Sequence, residues 1–200
     1  MRYGKGHKDA SRQRIMEVAG ERFRSDGIAG SGLAAIMSDA GLTNGAFYPH
    51  FKSKADLVRE SVAAAMDEQW KALRQIIADG GLEAALAVYL SPEHRDSPES
   101  GCTLAALLPE LARQPLDTRS VYMERFLQAA DEIACALPAE VGDSTDVAIA
   151  VYATLIGTLQ LARAVNGTPL SDRILQSGAQ AARELARRGL GDHKPDGATH

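Results

Sequence analysis

Aromatic residues are scarce in this chain. They make up 5% of its 200 residues, with one tryptophan, five tyrosines and four phenylalanines. Any large core must therefore be built mainly from aliphatic side chains and alanine. Cysteine is scarcer still. Cys102 and Cys135 are the only two, too few for a disulfide framework and in keeping with a reducing compartment. Catalytic signatures are missing: there is no G-x-S-x-G, H-E-x-x-H, P-loop or G-x-G-x-x-G. His50 has no second His or Cys at ligand spacing, so neither a metal nor a cofactor is expected, and an enzyme is the weakest reading. The first thirty residues are polar and charged, which argues against a signal peptide. The longest apolar run, Val147 to Ala162, contains Thr154, Thr158 and Gln160. It reads as too short and too polar for a membrane span. These absences point to a cytoplasmic protein with no membrane partner.

Strand-like alternation is missing too, while helical periodicity runs almost throughout. Ile15, Val18, Ala19 and Phe23 share one helix face, and Gly27 follows as a C-cap. Leu33, Ile36, Met37 and Ala40 mark a second, short helix that Gly41 ends. Thr43 can cap a third, "NGAFYPHF". Ser53 can open a fourth, with Asp56 three residues on as a weak capping box. If that helix runs from Lys54 to Ala78, it spans roughly 37 Å, and "DGG" (Asp79 to Gly81) ends it. Further helices are read over "LEAALAVYL", over "CTLAALLPELARQ" despite Pro109, over Leu116 to Leu137, over 146–165, and over "DRILQSGAQAARELARRG". Ser91 to Gly101 reads as a loop, and residues 190–200 as a disordered tail. The expectation is an all-α protein of about nine helices.

Charge is unevenly spread. Residues 1–60 hold 10 Lys+Arg against 7 Asp+Glu, and the remainder holds 12 against 19. A basic front on an acidic body suits a polyanion partner at the front only. That front reads as helix, short helix, tight glycine turn, short helix, the layout of a helix-turn-helix unit whose second helix enters the major groove. Its last part concentrates rings: Phe47, Tyr48, His50 and Phe51 surround Pro49. Phe47 and Phe51, four apart, are expected to pack inward against Ile15, Phe23 and Ile36. Tyr48 and His50 lie on other faces, where a hydroxyl and an imidazole reach phosphate oxygens. Lys52 and Lys54 follow at a helix start, which itself favours phosphate. Gly45 and Ala46 are small enough to let the backbone approach base edges. Taken alone, Tyr48 and His50 fit core packing as well as contact with nucleic acid. In the N-terminal arm, Lys8 and Arg12 fit phosphate contact and a solvated terminus equally.

The stretch "IMSDAGLTNGAFYPHFKSKADL", preceded by "RIMEVAGERFRSDG", resembles the TetR/AcrR family of bacterial transcriptional regulators. The resemblance covers about sixty residues and rests on the order and spacing of Ala40, Gly41, Leu42, Thr43, Gly45, Tyr48, His50, Phe51 and Lys54. It implies an all-helical homodimer with a DNA-binding head at residues 1–52 and an effector-binding and dimerisation body at 53–189. It implies DNA contacts from the segment Thr43, Asn44, Gly45, Ala46 and Tyr48, with His50 and Lys54 at the backbone, on a near-palindromic double-stranded operator. Two positions depart from the family pattern. Gly32 stands where Ser or Thr usually caps the next helix and meets a phosphate, with Ser31 beside it as a substitute. Met37 replaces a usual alanine. The later "GCTLAALLPELARQP" further resembles a branch of the family whose effectors are mostly unassigned.

In the body, a small-molecule pocket between helices is expected from Met66, Trp70, Tyr89, Cys102, Leu107, Tyr122, Phe126 and Leu159. Taken singly, each is more simply core. Trp70 and Tyr122 carry a polar handle on an apolar body. Cys102 at a helix start fits either a redox sensor or, more simply, a buried structural cysteine. Glu110 with Arg113, and Glu124 with Arg125, read as solvated helix charges. The helix over 146–165 is apolar nearly all round and slimmed by Ala148, Ala150, Ala153, Gly157 and Ala162. Together with the alanine-rich final helix it suits a dimer face, and a monomer with a filled body is the alternative. The reading is a repressor released by a small apolar or aromatic molecule. A regulator without such an effector is the runner-up.

Overall fold

The computed structural model describes residues 5–139, 141 and 144–189. Residues 190–200, expected as a disordered tail, and Arg2 in the N-terminal arm lie outside these. The described residues form eight α-helices and no strand: α1 (Lys5–Gly30), α2 (Leu33–Asp39), α3 (Lys54–Tyr89), α4 (Pro92–Asp96), α5 (Thr103–Leu111), α6 (Leu116–Cys135), α7 (Ser144–Ala164) and α8 (Pro169–Arg188). A single 3-10 turn, Asn44–Ala46, stands between α2 and α3. The all-α expectation holds, with three local corrections. The third expected helix is only that 3-10 turn, because Pro49 lacks an N–H and disfavours helical backbone at Tyr48. The fourth and fifth expected helices run together as α3, kinked at Gly81 where φ is 69°. The loop expected at Ser91–Gly101 contains the short α4.

The chain forms two compact units. The first holds the described residues up to Ala72 together with Glu93–Gln128. Its core gathers Ile15, Val18, Ala19 and Phe23 of α1, Ile36 and Met37 of α2, Phe47 and Phe51, and Leu57, Val58 and Val62 of α3. Leu104, Leu107 and Leu111 of α5 are buried as well, and α5 stays helical through Pro109. Each of these Ile, Leu, Val, Phe and Met side chains contributes about 1.5–3 kcal/mol by leaving water. Ser53 opens α3 as expected. Its hydroxyl accepts from the Asp56 N–H at 3.1 Å, and the Asp56 carboxylate accepts from the Lys52 N–H at 3.1 Å.

The second unit holds Leu73–Pro92 and the described residues from Ala129 onward. Its centre is the α7–α8 pair, where backbones approach closely. A Cβ built at Gly178 would lie 2.1 Å from Oγ1 of Thr158. The Ser171 hydroxyl donates to the Ala162 carbonyl at 2.8 Å. Pro169 begins α8, a position where its missing N–H costs nothing. Two expectations need correction here. By length and composition α7 does qualify as a membrane-crossing helix, at 21 residues, but half of its apolar window is buried inside the fold, as in a core helix. Ala182, expected on the dimer face, is fully buried within the chain itself. The outward faces instead carry Gly157 and Leu161 on α7 and Leu170 on α8.

Candidate nucleic-acid interface

Two glycines shape the front of the first unit. Gly27 takes φ 79° and breaks α1 one turn before its end. Gly41 takes φ 72° after α2, a conformation other residues resist. Around it the N–H of Gly41 donates to the Ser38 carbonyl at 3.0 Å and that of Leu42 to Met37 at 2.9 Å, closing the helix end. The chain then enters a string of tight turns. The N–H of Ala46 donates to Thr43 at 3.0 Å, Phe47 to Asn44 at 3.2 Å, and His50 to Phe47 at 2.9 Å.

This geometry splits the rings. Phe47 and Phe51 are each 1% exposed and stack at 5.5 Å, while Tyr48, edge-on to Phe47 at 5.4 Å, is 72% exposed. A phenol left that far out beside two sunken rings is held in place without being buried. Thr43, Asn44 and Gly45 are exposed on the same turn, and Ala46 is half-buried. Thr43 makes no capping bond with its side chain, and no Cβ built at Gly45 would meet another atom within 4 Å. These residues form one outward edge with a hydroxyl, an amide, a phenol and a bare backbone, the groups that bond phosphates and base edges.

The flanking candidates differ. Lys54 donates from Nζ to the Ile28 carbonyl at 2.6 Å, which leaves two of its three donors. His50 packs on Phe51 at 6.4 Å, and its buried Nδ1 finds no hydrogen-bond partner. Burial first, then the nearby Lys8 and Arg12 charges, hold its pKa below the usual histidine value, against a weaker opposite pull from Asp9. Lys8 is exposed. Arg12 lies 4.9 Å over the Phe51 ring and pairs with Glu60, so its guanidinium already serves the fold. Ser31 is fully buried, with its hydroxyl 3.1 Å from the Arg22 carbonyl and 2.7 Å from that of Gly27. It does not cap α2, whose cap position is Gly32 without a side-chain bond.

The expected pocket residues fall in both units. Met66, Cys102 and Leu107 are buried, and Trp70, Tyr122 and Phe126 half-buried, in the first. Leu159 is buried and Tyr89 half-buried in the second, with Tyr89 edge-on to Tyr152 at 6.5 Å. Cys102 stands at the start of α5, where its sulfur accepts from the Ala105 N–H at 3.5 Å.

Three polar residues carry more than periodicity showed. Glu110 is not a solvated helix charge. Its two carboxylate oxygens accept from the N–H groups of Ile28 and Ala29 at 2.9 and 3.0 Å. Arg125 likewise donates to the Ala63 carbonyl at 3.2 Å and to Asp67. The Gln69 amide bonds Gly101 and Thr103. Their partners lie 32 or more positions away in the chain, where helical periodicity carries no signal.

Comparison with known proteins points the same way. Residues 15–61 match the family model described as bacterial regulatory proteins, tetR family. Over 50 residues the chain is 44% identical to the HTH-type transcriptional regulator AcrR of Shigella flexneri, covering 25% of this chain and 23% of AcrR. Over 120 residues it is 24% identical to the HTH-type transcriptional repressor KstR2 of Rhodococcus jostii (strain RHA1), covering 60% of this chain and 59% of KstR2. The matched segments thus span about a quarter and about six tenths of those relatives' lengths. The fold is similar to that of E. coli NemR in its reduced form, with a TM-score of 0.74 over 88% of this chain and 96% of that one, at 18% identity.

Proposed function

We propose that this chain is a non-enzymatic transcriptional regulator of the TetR/AcrR family, the family whose model its residues 15–61 match, and that it acts as a homodimeric, cytoplasmic repressor released from its operator by a small apolar or aromatic molecule. The observation that carries the reading is the exposed edge Thr43–Tyr48, held rigid by the buried Phe47 and Phe51 within the matched residues 15–61. A rigid edge loses little conformational freedom on binding. Tyr48 and Thr43 contact the DNA, Asn44, Gly45 and Ala46 face the bases, and His50, Lys54 and the Gly32 backbone meet phosphates. Ser31 supports that contact from inside rather than making it. The similarity to the transcriptional repressor KstR2 supports repression as the direction of control.

In this reading the head comprises residues 1–52 and the body 53–189. The outward faces of α7 and α8 pair two chains, and the exposed Leu161 and Leu170 favour such burial. Two heads related by a two-fold then read a near-palindrome with half-sites about 34–36 Å apart. The effector binds in the body beside α3, near Met66 and Trp70, with Cys102, Leu107, Tyr122 and Phe126. It weakens operator binding by its differential affinity for the two states, about 1–3 kcal/mol of coupling. Trp70 is the single tryptophan, so its fluorescence reports on such binding directly.

The test selects duplexes from a randomised pool with the wild-type chain and then measures Tyr48→Ala on the winner. The variant is expected to melt like wild type and to bind at least about tenfold more weakly, about 1.4 kcal/mol. Equal affinity would remove Tyr48 from the interface. If no small molecule shifts operator affinity, a regulator without an effector replaces this reading.

A further inference from the structure

The last turn of α1, beyond the break at Gly27, is gripped from both polarities. Glu110 of α5 takes the N–H groups of Ile28 and Ala29 with one oxygen each, at 2.9 and 3.0 Å. Lys54 of α3 takes the carbonyl of the same Ile28 at 2.6 Å. Both are charge-assisted bonds to backbone, stronger and more directional than neutral ones. Ser31 ties the segment back from the other side, its hydroxyl donating to the Gly27 carbonyl at 2.7 Å. Gly27, at φ 79°, opens it, and α2 has no side-chain cap at its start. A Cβ at Gly27 would lie 3.1 Å from a Glu110 oxygen, so a side chain there would press on the carboxylate. Four residues beyond Ala29, α2 begins at Leu33 and leads into the reading edge. The far end of α5 is tied to α3. The Thr103 N–H donates to Oε1 of Gln69 at 3.1 Å, and Nε2 of Gln69 donates to the Gly101 carbonyl at 2.8 Å. Arg24 of α1 adds a bond of 2.6 Å to the Glu99 carbonyl, ahead of α5. All of these groups belong to one compact unit.

We propose that Glu110 is a positioning residue for DNA recognition. Its carboxylate clamps the Ile28–Ala29 backbone, sets the angle at which α2 leaves α1, and carries any displacement of α5 to the edge Thr43–Tyr48. This rests on the regulator reading above. It adds that α5, which bears the candidate effector contacts Cys102 and Leu107, acts on the head through this carboxylate.

The sign of the effect separates positioning from simple electrostatics. Removing a negative charge from the head would by itself strengthen binding to a polyanion. Weakening can then come only from geometry. The experiment compares full-length wild type, Glu110→Gln and Glu110→Ala on the duplex that wild type enriches from a randomised pool. Amide hydrogen exchange and thermal melting are measured on the same samples. Expected for Glu110→Gln are faster exchange at Ile28 and Ala29, unchanged exchange at the core amide of Leu107, and a roughly 5–20-fold loss of affinity. The salt dependence of binding should stay the same, because no phosphate contact is lost. Glu110→Ala should do the same more strongly. Unchanged exchange at Ile28 and Ala29 would overturn the clamp. Faster exchange there with equal or tighter DNA binding would overturn the positioning role. A uniform loss of protection throughout the core would reduce Glu110 to a stability residue and overturn it as well. A wild type that enriches no duplex would fail the regulator reading itself. That is a different result from a wild type and a Glu110→Gln variant that bind equally.

Discussion

The turn at residues 41–51 and the α7–α8 pair solve opposite packing problems. The turn is short and scarcely helical, and it is anchored by its largest side chains, Phe47 and Phe51. The pair is long and regular, and it is held together by its smallest residues, with Gly178 set against Thr158. Large buried rings let a brief segment keep a defined shape while its remaining atoms face outward. Small residues let long helices approach until their backbones nearly touch. The first arrangement suits presentation of an edge, and the second suits burial of area. The contrast also decides where substitution is tolerated. The turn accepts change at its exposed positions and none at its rings. The pair accepts change on its outer faces and none at its seam.

The sharpest way to break the contrast is to empty the ring cluster. Phe51→Ala leaves a cavity beside Phe47 and removes the surface on which Arg12 rests. A loss of about 3–5 kcal/mol is expected, read by urea denaturation, with DNA binding lost along with the head. At the other seam the error is overpacking. Gly178→Ala drives a methyl into Thr158, whose Cβ would be 2.7 Å away. About 1–3 kcal/mol of destabilisation is expected despite alanine's better helix propensity. Thr158→Ala in the same chain should recover part of it, a coupling visible in a double-mutant cycle. One position earlier, Gly157 has nothing within 4 Å of its would-be Cβ. Gly157→Arg should therefore leave the protomer's melting intact while weakening self-association at least about tenfold, or about 1.4 kcal/mol. Sedimentation reads this directly, and an unchanged dimer would place the interface elsewhere.

The smallest effect concerns pH. The folded pKa of His50 is lowered, chiefly by burial. Its folded form thus binds fewer protons than its unfolded form. Stability is then fully present above the unfolded value, about 6.5, and falls as pH drops below it. His50→Gln should flatten that fall slightly between neutral and mildly acid pH, measured by melting midpoints. A steeper slope in the variant would mean the imidazole is stabilised in its charged form.

Much of this was legible beforehand. Helical spacing identified the buried faces of α1 and α2, the inward Phe47 and Phe51, and the outward Tyr48. Those readings rest on local geometry, which periodicity encodes. Spacing failed at the third helix, where one proline outweighed the apolar pattern, and at Asp79–Gly81, where glycines kink α3 without ending it. Ser31 looked available because a hydroxyl beside a helix start normally caps it, yet it bonds backward into α1. Ala182, on the final helix, looked like part of a dimer face because alanine-rich helices suggest pairing, but it is fully buried within its own chain.

The sequence by itself determined the all-helical class and the inward packing of Phe47 and Phe51, because each depends on residues within a turn or two of one another. Only the tertiary structure decided what the polar side chains do. Glu110, Gln69 and Arg125 find backbone, hydroxyl and carboxylate partners between 32 and 82 positions away, and Lys54 reaches back 26 to Ile28. A charge on a helix surface has the same appearance in the sequence whether it faces water or another element. Which it faces depends on how helices far apart in the chain are brought side by side, and that is settled by the packing of the core as a whole.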